Sequence, residues 1–338
     1  MSDSVARLET SVGAVPADQW DALDASGNPF TSHAFLSALE DSGSVGGESG
    51  WSPAPILIDG ADGRLAAALP AYIKDQSQGE YVFDHPWADA WHRAGGRYYP
   101  KLQIAAPFTP ATGPRLLTRD PALALPLLRA AEALCKEHGL SSAHATFIEP
   151  AQLPVFEAAG WLLRSDIQFH WTNNAYASFD DFLRALSSDK RKNLRKERAS
   201  AQDGVTIRRL RGPEILDEHW HAFWHFYQDT GARKWGRPYL TREAFSLLSE
   251  RMGDKVLLIL ALMDGEPLRT CACTTAALEW GTSPCVGIQR CPSGPITMLS
   301  GPKGLPRTTR GIEFSSIRPP WRTHTSLTSR SASSTAAR

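Results

Sequence analysis

The chain has 338 residues, with 36 Lys+Arg against 36 Asp+Glu and a formal net charge of zero. Its longest apolar run, Val256–Met263, is eight residues, against the roughly 20 a membrane-spanning helix needs. The opening MSDSVARLET has no apolar h-region, so a secretory signal and a transmembrane segment are both set aside and a cytoplasmic location is expected.

The neutral total hides a break. Met1–Leu268 holds 27 Lys+Arg and 34 Asp+Glu, net −7, while Arg269–Arg338 holds nine basic residues and two acids, net +7. The tail also has 21 Ser+Thr, four of the five cysteines and no apolar periodicity. It reads like text in the wrong frame. Translated from the third base of each codon, Leu268–Thr274, Arg290–Leu299 and His324–Arg330 can encode an alternating strand, an aromatic-rich helix and a segment beginning His-Lys. A single-nucleotide slip near codon 268 is the reading; a natural Ser/Thr/Pro/Arg-rich disordered tail is the alternative. Within the body Cys135 is the one cysteine, which fits a reducing compartment.

A body of this length suits two domains. Asn28-Pro29-Phe30 leads into an amphipathic helix, Ser32–Glu40, then a Gly/Ser loop, Ser42–Gly50. A hairpin follows, with strands Ala54–Ile58 and Arg64–Ile73 around the turn Asp59–Gly63. Glu80–Phe108 reads as strands and loops, Pro121–His138 as a helix ended by Gly139, Ser141–Ile148 as a strand and Leu153–Ala159 as a helix. The second half opens with a strand, Ile167–Thr172, and a helix that Ser178 opens, with Asp181 at capping-box spacing, running to about Ala201. Strand Val205–Leu210, helices Glu214–Asp229 and Arg242–Met252, strand Lys255–Met263 and an Asp264-Gly265 hairpin turn complete the body. This is α/β architecture with two halves of similar element order.

Three segments can carry chemistry. KRKNLRKER (Lys190–Arg198) places six cations in nine residues, with Lys192, Arg195 and Lys196 on one helix face and Arg191 and Arg198 alongside. Either an anionic partner offsets their mutual repulsion or this is a solvated face. DTGARKWGRPYL (Asp229–Leu240) joins Arg233, Lys234 and Arg237 to Trp235 and Tyr239, a mixture that can grip an anion and stack a ring, or a structural loop pinned by its aromatics. GEYVFD (Gly79–Asp84) and YYPK (Tyr98–Lys101) bring acids, phenols and a lysine together. Glu80 or Asp84 is a candidate general base, with a satisfied buried carboxylate as the plainer reading. His219, His221 and His225 lack a third ligand, and Cys271, Cys273, Cys285 and Cys291 look like a zinc set but lie in the suspect frame, so no metal site is expected.

The segments QFHW, YASFDDFL, SSDKRKNLRKER and DTGARKWGRPYLTREAF closely resemble the FemAB-like group of the GNAT acyltransferase superfamily. In the first half NPFTSHAFLSALEDSGSVG, KDQSQGEYVFDHPWADAW, GGRYYPKLQ and PFTPATGPRLL do the same, and the likeness spans most of Asn28–Pro267. It implies two tandem GNAT-like domains, about 1–165 and 166–268, followed by an aberrant, disordered tail, 269–338. It further implies transfer of an acyl or aminoacyl group to an amine, with a peptidoglycan precursor as the candidate acceptor, acyl-CoA or aminoacyl-tRNA as co-substrate and no permanently bound cofactor. On that reading Lys192, Arg195, Lys196, Arg233, Lys234 and Arg237 hold the donor's anionic handle, and Tyr99 and Lys101 the acceptor. The acidic body favours compact coenzyme A over long tRNA, and DNA is not an expected partner. Family members continue past the Asp264-Gly265 turn with a strand, an aromatic helix and a Gly-rich loop ending in His-Lys, which this chain lacks in frame, so its second domain is expected to be truncated and its activity impaired. A non-catalytic protein that recognises a cell-wall precursor is the alternative.

Overall fold

The computed structural model describes residues 5–82, 84–166, 173–233, 237–274 and 324–330. The chain divides into two units: Met1–Gln168 with Tyr239–Arg251 and Arg322–Arg338, and Phe169–Pro238 with Met252–Trp321. All but the last residue of the helix at 242–252 belongs to the first unit.

The elements in chain order are β1 (Ala6–Leu8), α1 (Ala17–Asp21), α2 (His33–Asp41), β2 (Trp51–Pro53), β3 (Ile56–Asp59), β4 (Leu65–Leu69), β5 (Ala71–Lys74), α3 (His85–Arg93), β6 (Lys101–Ile104) and β7 (Leu117–Thr118). They continue with α4 (Ala124–Glu137), β8 (Ser142–Ala145), α5 (Leu153–Ala158), β9 (Leu162–Asp166), α6 (Phe179–Arg184), α7 (Ser188–Gln202), β10 (Val205–Arg211) and α8 (Asp217–Arg233). The last are α9 (Arg242–Met252), β11 (Val256–Met263), β12 (Glu266–Thr274) and β13 (His324–Arg330).

The first unit holds two sheets, ordered β1-β3-β4-β7 and β2-β5-β6-β8-β13-β9. The expected return strand Arg64–Ile73 is two strands, one in each sheet, because Pro70 has no N–H to carry a ladder onward. Its carbonyl accepts from Ala105, beside the start of the β5–β6 pairing. The core packs α4 against both sheets. Leu127, Leu128, Ala131, Leu134 and Cys135 recur at helical spacing and meet Ile56, Ile58, Ala67, Leu69, Leu102, Ile104, Ala143 and Ala145. Serine 32 caps α2 by accepting the Phe35 N–H, as Ser32 in a helix-opening position should.

The segment Glu80–Phe108 contains a helix, α3, where only strands and loops were expected. Pro86 lies in its first turn, a position where a missing N–H costs nothing. Helix α9 is tied to this unit at both ends. The Thr241 N–H donates to Ser44 Oγ at 3.0 Å, and Arg251 pairs with Asp41 at 2.7 Å and donates to Ser37 Oγ at 2.9 Å. Those long-range polar ties are invisible to periodicity, which placed the helix with its sequence neighbours.

In the second unit β10, β11 and β12 form an antiparallel sheet in that order. The β11–β12 turn has Asp264 at φ 52° and Gly265 at φ 86°, the left-handed pair that a tight hairpin requires. The single helix expected from Ser178 is two, α6 and α7. Ser178 Oγ accepts the Asp181 N–H at 3.2 Å, and Ser187 opens the second helix with extended backbone. Within the tail, β12 extends to Thr274 past a register irregularity that leaves Leu268 unpaired, and β13 pairs antiparallel with both β8 and β9. The rest of the tail, and the expected strand Ile167–Thr172, lie outside the described residues.

Candidate active site

Strand alternation builds the site. Ala71, Ile73, Leu102, Ile104, Ala143 and Ala145 face the α4 core, so the intervening residues of β5, β6 and β8 leave the opposite face. Those residues are Tyr72, Lys74, Lys101, Gln103 and His144, all buried. Register sets them in rows: Trp51 pairs with Lys74 and Lys74 with Lys101, while Tyr72 pairs with Gln103 and Gln103 with His144. A buried sheet face this polar is unusual, because each group must find a partner or lose its hydration uncompensated.

Lys101 is 0% exposed and its ammonium meets three acceptors: Asp84 Oδ2 at 2.6 Å, Glu80 Oε2 at 2.8 Å and Ser77 Oγ at 2.9 Å. The Tyr98 hydroxyl donates to the same Asp84 oxygen at 2.8 Å, and Ser77 Oγ bonds the Tyr99 hydroxyl at 2.7 Å. Asp84 is delivered by the start of α3, where its backbone carbonyl accepts the Trp87 and Ala88 N–H groups. Thus Glu80, Asp84, Tyr99 and Lys101, proposed separately from sequence, form one connected cluster. Sequence reasoning missed Lys74 and Ser77. Lys74 is also 0% exposed, donates to the Gln78 carbonyl at 3.2 Å and lies 3.9 Å from the centre of the Trp51 ring.

The electrostatics separate these groups. Burial raises the Asp84 carboxyl, but the charge and hydrogen bond of Lys101 outweigh it and hold it below its ordinary value. Burial also raises Glu80, and there the attraction of Lys101 does not cancel it. Burial, reinforced by the Lys101 charge and opposed by Glu80, lowers Lys74 to about 7. Burial first, then the Lys101 charge, lowers His144 to about 3, so it is neutral and shares a 2.7 Å bond with Ser142 Oγ. Burial raises both Tyr98 and Tyr99, with Asp84 adding to it. Among the described residues, four buried polar atoms on this face have no hydrogen-bond partner: Glu80 Oε1, Asp84 Oδ1, Tyr72 OH and Gln103 Oε1. Three of the four are acceptors, which defines what the face lacks: N–H donors.

An aromatic group adjoins Lys74. Trp51 and Phe108 meet edge to face at 5.3 Å, and Phe108 stacks on Tyr239 at 5.2 Å and 9°. Tyr81 and Phe108 both have φ 57°, a region bulky side chains seldom occupy and one that concentrates at functional sites. Gly79 makes the close approach possible, since a Cβ there would lie 2.6 Å from the Phe108 ring at φ 79°. Gly79→Ala is therefore expected to destabilise the protein by about 2–4 kcal/mol, read as a lower urea midpoint.

The donor-side candidates lie in the second unit. Lys192, Arg195 and Lys196 are exposed on α7. Arg195 pairs with Asp180 at 3.1 Å, Arg191 donates to the Leu186 carbonyl at 3.1 Å, and Arg198 lies 4.2 Å over the Phe179 ring. Arg191, Arg195 and Arg198 are thus engaged with α6 and its end, and Lys192 and Lys196 are exposed beside them. Arg237 is exposed, Arg233 ends α8, and Lys234 lies outside the described residues. The loop read as one gripping and stacking element is divided, since Arg237 belongs to the second unit and Tyr239 to the first. On α8, His219 Nδ1 accepts the Leu216 N–H at 3.0 Å and the Nε2 atoms of His221 and His225 bond each other at 3.0 Å.

Comparison with solved structures finds distant likenesses. FemX is 15% identical, with 74% of this chain and 57% of that chain covered and a TM-score of 0.40. L-PGS from Bacillus licheniformis is 11% identical, covering 87% and 90%, at a TM-score of 0.41. A tandem GNAT protein from the clavulanic acid biosynthesis pathway is 11% identical, covering 80% and 75%, at 0.36. The chain thus spans little more than half the length of FemX. No curated protein sequence matches it. The family model FemAB-like, described as peptidoglycan biosynthesis/recognition, matches residues 11–278, and the chain belongs to that family.

Proposed function

We propose that this protein is an N-acyltransferase that moves an acyl or aminoacyl group from a coenzyme A thioester or an aminoacyl-tRNA to an amine of a cell-wall precursor. The observation that carries the reading is the buried polar face of the first unit, where two carboxylates beside Lys101 keep one oxygen each without a partner among the described residues. Membership of a peptidoglycan biosynthesis/recognition family supports the choice of acceptor. An acceptor amine arrives as an ammonium group, and Glu80 Oε1 and Asp84 Oδ1 are suited to receive its N–H bonds. Tyr99, half-buried and linked through Ser77 to Lys101, stands beside them. Ion-paired with Lys101, the carboxylates suit orienting an ammonium better than deprotonating it, which revises the general-base role first considered for them.

The donor's anionic handle falls to Lys192, Arg195 and Lys196, with Arg233, Lys234 and Arg237 as further cations. Replacing the three α7 residues by Gln is expected to weaken donor binding at least about tenfold while leaving the unfolding midpoint in place, since exposed charges contribute about 1 kcal/mol or less each. Binding of an aminoacyl-tRNA would fall steeply with added salt and binding of acetyl-CoA only gently. Unchanged binding of both donors by the triple variant would make α7 a solvated face. The second reading is a recognition protein without turnover. It draws on Lys101, whose three N–H groups are already spent inside the cluster. Consumption of donor separates the two.

A further inference from the structure

We propose that Lys74 is the proton acceptor of the transfer, taking a proton from the substrate's ammonium group so that the free amine can attack. The inference rests on the acyltransferase reading and adds a residue to it. Lys74 and Lys101 are Cα partners across β5 and β6, so their side chains leave the sheet on the same face, and both are 0% exposed. Their partners are unequal. Lys101 meets two carboxylates and a hydroxyl, whereas Lys74 meets one neutral carbonyl and the face of Trp51. Two enclosed ammonium groups side by side repel, and the one holding the anions keeps its proton.

Lys74 is lowered to about 7, by burial first and by the Lys101 charge, against the pull of Glu80, Asp75 and Asp84. Tyr98 and Tyr99, raised by burial, add no negative charge near neutrality. A large share of Lys74 is then a neutral amine at physiological pH, with basicity close to what general-base catalysis favours. Each bond in the step is accounted for. The substrate ammonium donates to Glu80 Oε1 and Asp84 Oδ1, one of its N–H bonds breaks, and the proton passes to Lys74 Nζ. The freed lone pair forms the C–N bond at the donor carbonyl. The C–S or C–O bond to the donor then breaks, and the leaving group takes the amine's second proton as a thiol or hydroxyl. Lys74 returns its proton to solvent.

Lys74→Met and Lys74→Arg test this together in the full chain, with acetyl-CoA and alanyl-tRNA as donors and a lysine-bearing muropeptide as acceptor. Both variants are expected to lose about a hundredfold or more in kcat, with KM held within about threefold. The parent's rise in kcat through about pH 7 should flatten in both. Arg keeps the charge but cannot give up its proton, so recovery of kcat in Lys74→Arg would show a structural charge and overturn the proposal. A readout without turnover is lysine 13Cε NMR, with Lys74 assigned by the signal lost in Lys74→Arg. Titration near the ordinary lysine value of about 10.4 would also overturn it. A parent that consumes neither donor would sink the acyltransferase reading and this proposal with it. An active parent with an active Lys74→Met would sink the proposal alone.

Discussion

Replacing Lys101 by Met is expected to destabilise the first unit by about 3–5 kcal/mol, the cost of leaving buried carboxylates without their cation. Lys101 is fully enclosed and joins Glu80, Asp84 and Ser77, so one substitution strands both acids and a hydroxyl. The penalty belongs to the broken pairing and not to the loss of a charge as such. A triple variant, Lys101→Met with Glu80→Gln and Asp84→Asn, should therefore recover most of the lost stability in urea unfolding. In the single variant the acids, freed of Lys101, shift upward by burial. Their contribution is then favourable at low pH and lost as pH rises, so the gap to the parent should narrow on acidification. A single variant as stable as the parent at neutral pH would show that the Lys101 pairing contributes no net stability.

Lys74→Met is expected to act in the opposite direction. Lys74 has a folded value of about 7 against an unfolded value of 10.5. Between these two values the unfolded chain binds the extra proton, so the parent's stability from this group is complete above about 10.5 and is lost as pH falls through 7. At neutral pH the buried amine is a net cost to folding. Lys74→Met removes that cost and leaves the Gln78 carbonyl without its donor, worth about 1 kcal/mol. The variant should be the more stable protein at pH 7, with a flatter stability profile between neutral and alkaline pH in urea titrations. Stability gained and activity lost in one substitution is the behaviour of a strained functional group.

Local physics made much of the fold legible. The apolar spacing of α4, the Ser32 cap of α2, and the run Val256–Met263 with its Asp264-Gly265 turn all encode their structure within a few neighbouring residues. What stayed hidden depends on distant partners. Arg64–Ile73 reads as one alternating strand, yet Pro70 sends its two ends into different sheets. Helix α3 was hidden by Pro86, which punctuates a loop and opens a helix equally well. The unit that owns α9 is set by bonds from Thr241 and Arg251 to residues about two hundred positions earlier.

The site followed the same division. Residue type alone singled out Glu80, Asp84, Tyr99 and Lys101, because acids, a phenol and a lysine stand close together in two short segments. Their mutual bonding could not be read there. Lys74 ends the apolar strand Ala71–Lys74 like an ordinary solvated charge. Only the β5–β6 register places it beside Lys101, with both side chains buried. For the exposed α7 cations the sequence supplied the pattern, and the structure adds that Arg195 is paired with Asp180 and Arg191 with backbone carbonyls.

Acceptor-dependent consumption of donor tests the central claim most directly. Purified protein would be incubated with acetyl-CoA or alanyl-tRNA, with and without a lysine-bearing muropeptide, and thiol release, tRNA deacylation and muropeptide mass would be followed together. The expected result is donor loss that requires the muropeptide and matches a mass gain of one acyl or aminoacyl group on its amine. Muropeptide that binds while both donors remain intact, and whose mass does not change, would contradict an acyltransferase and leave a recognition protein.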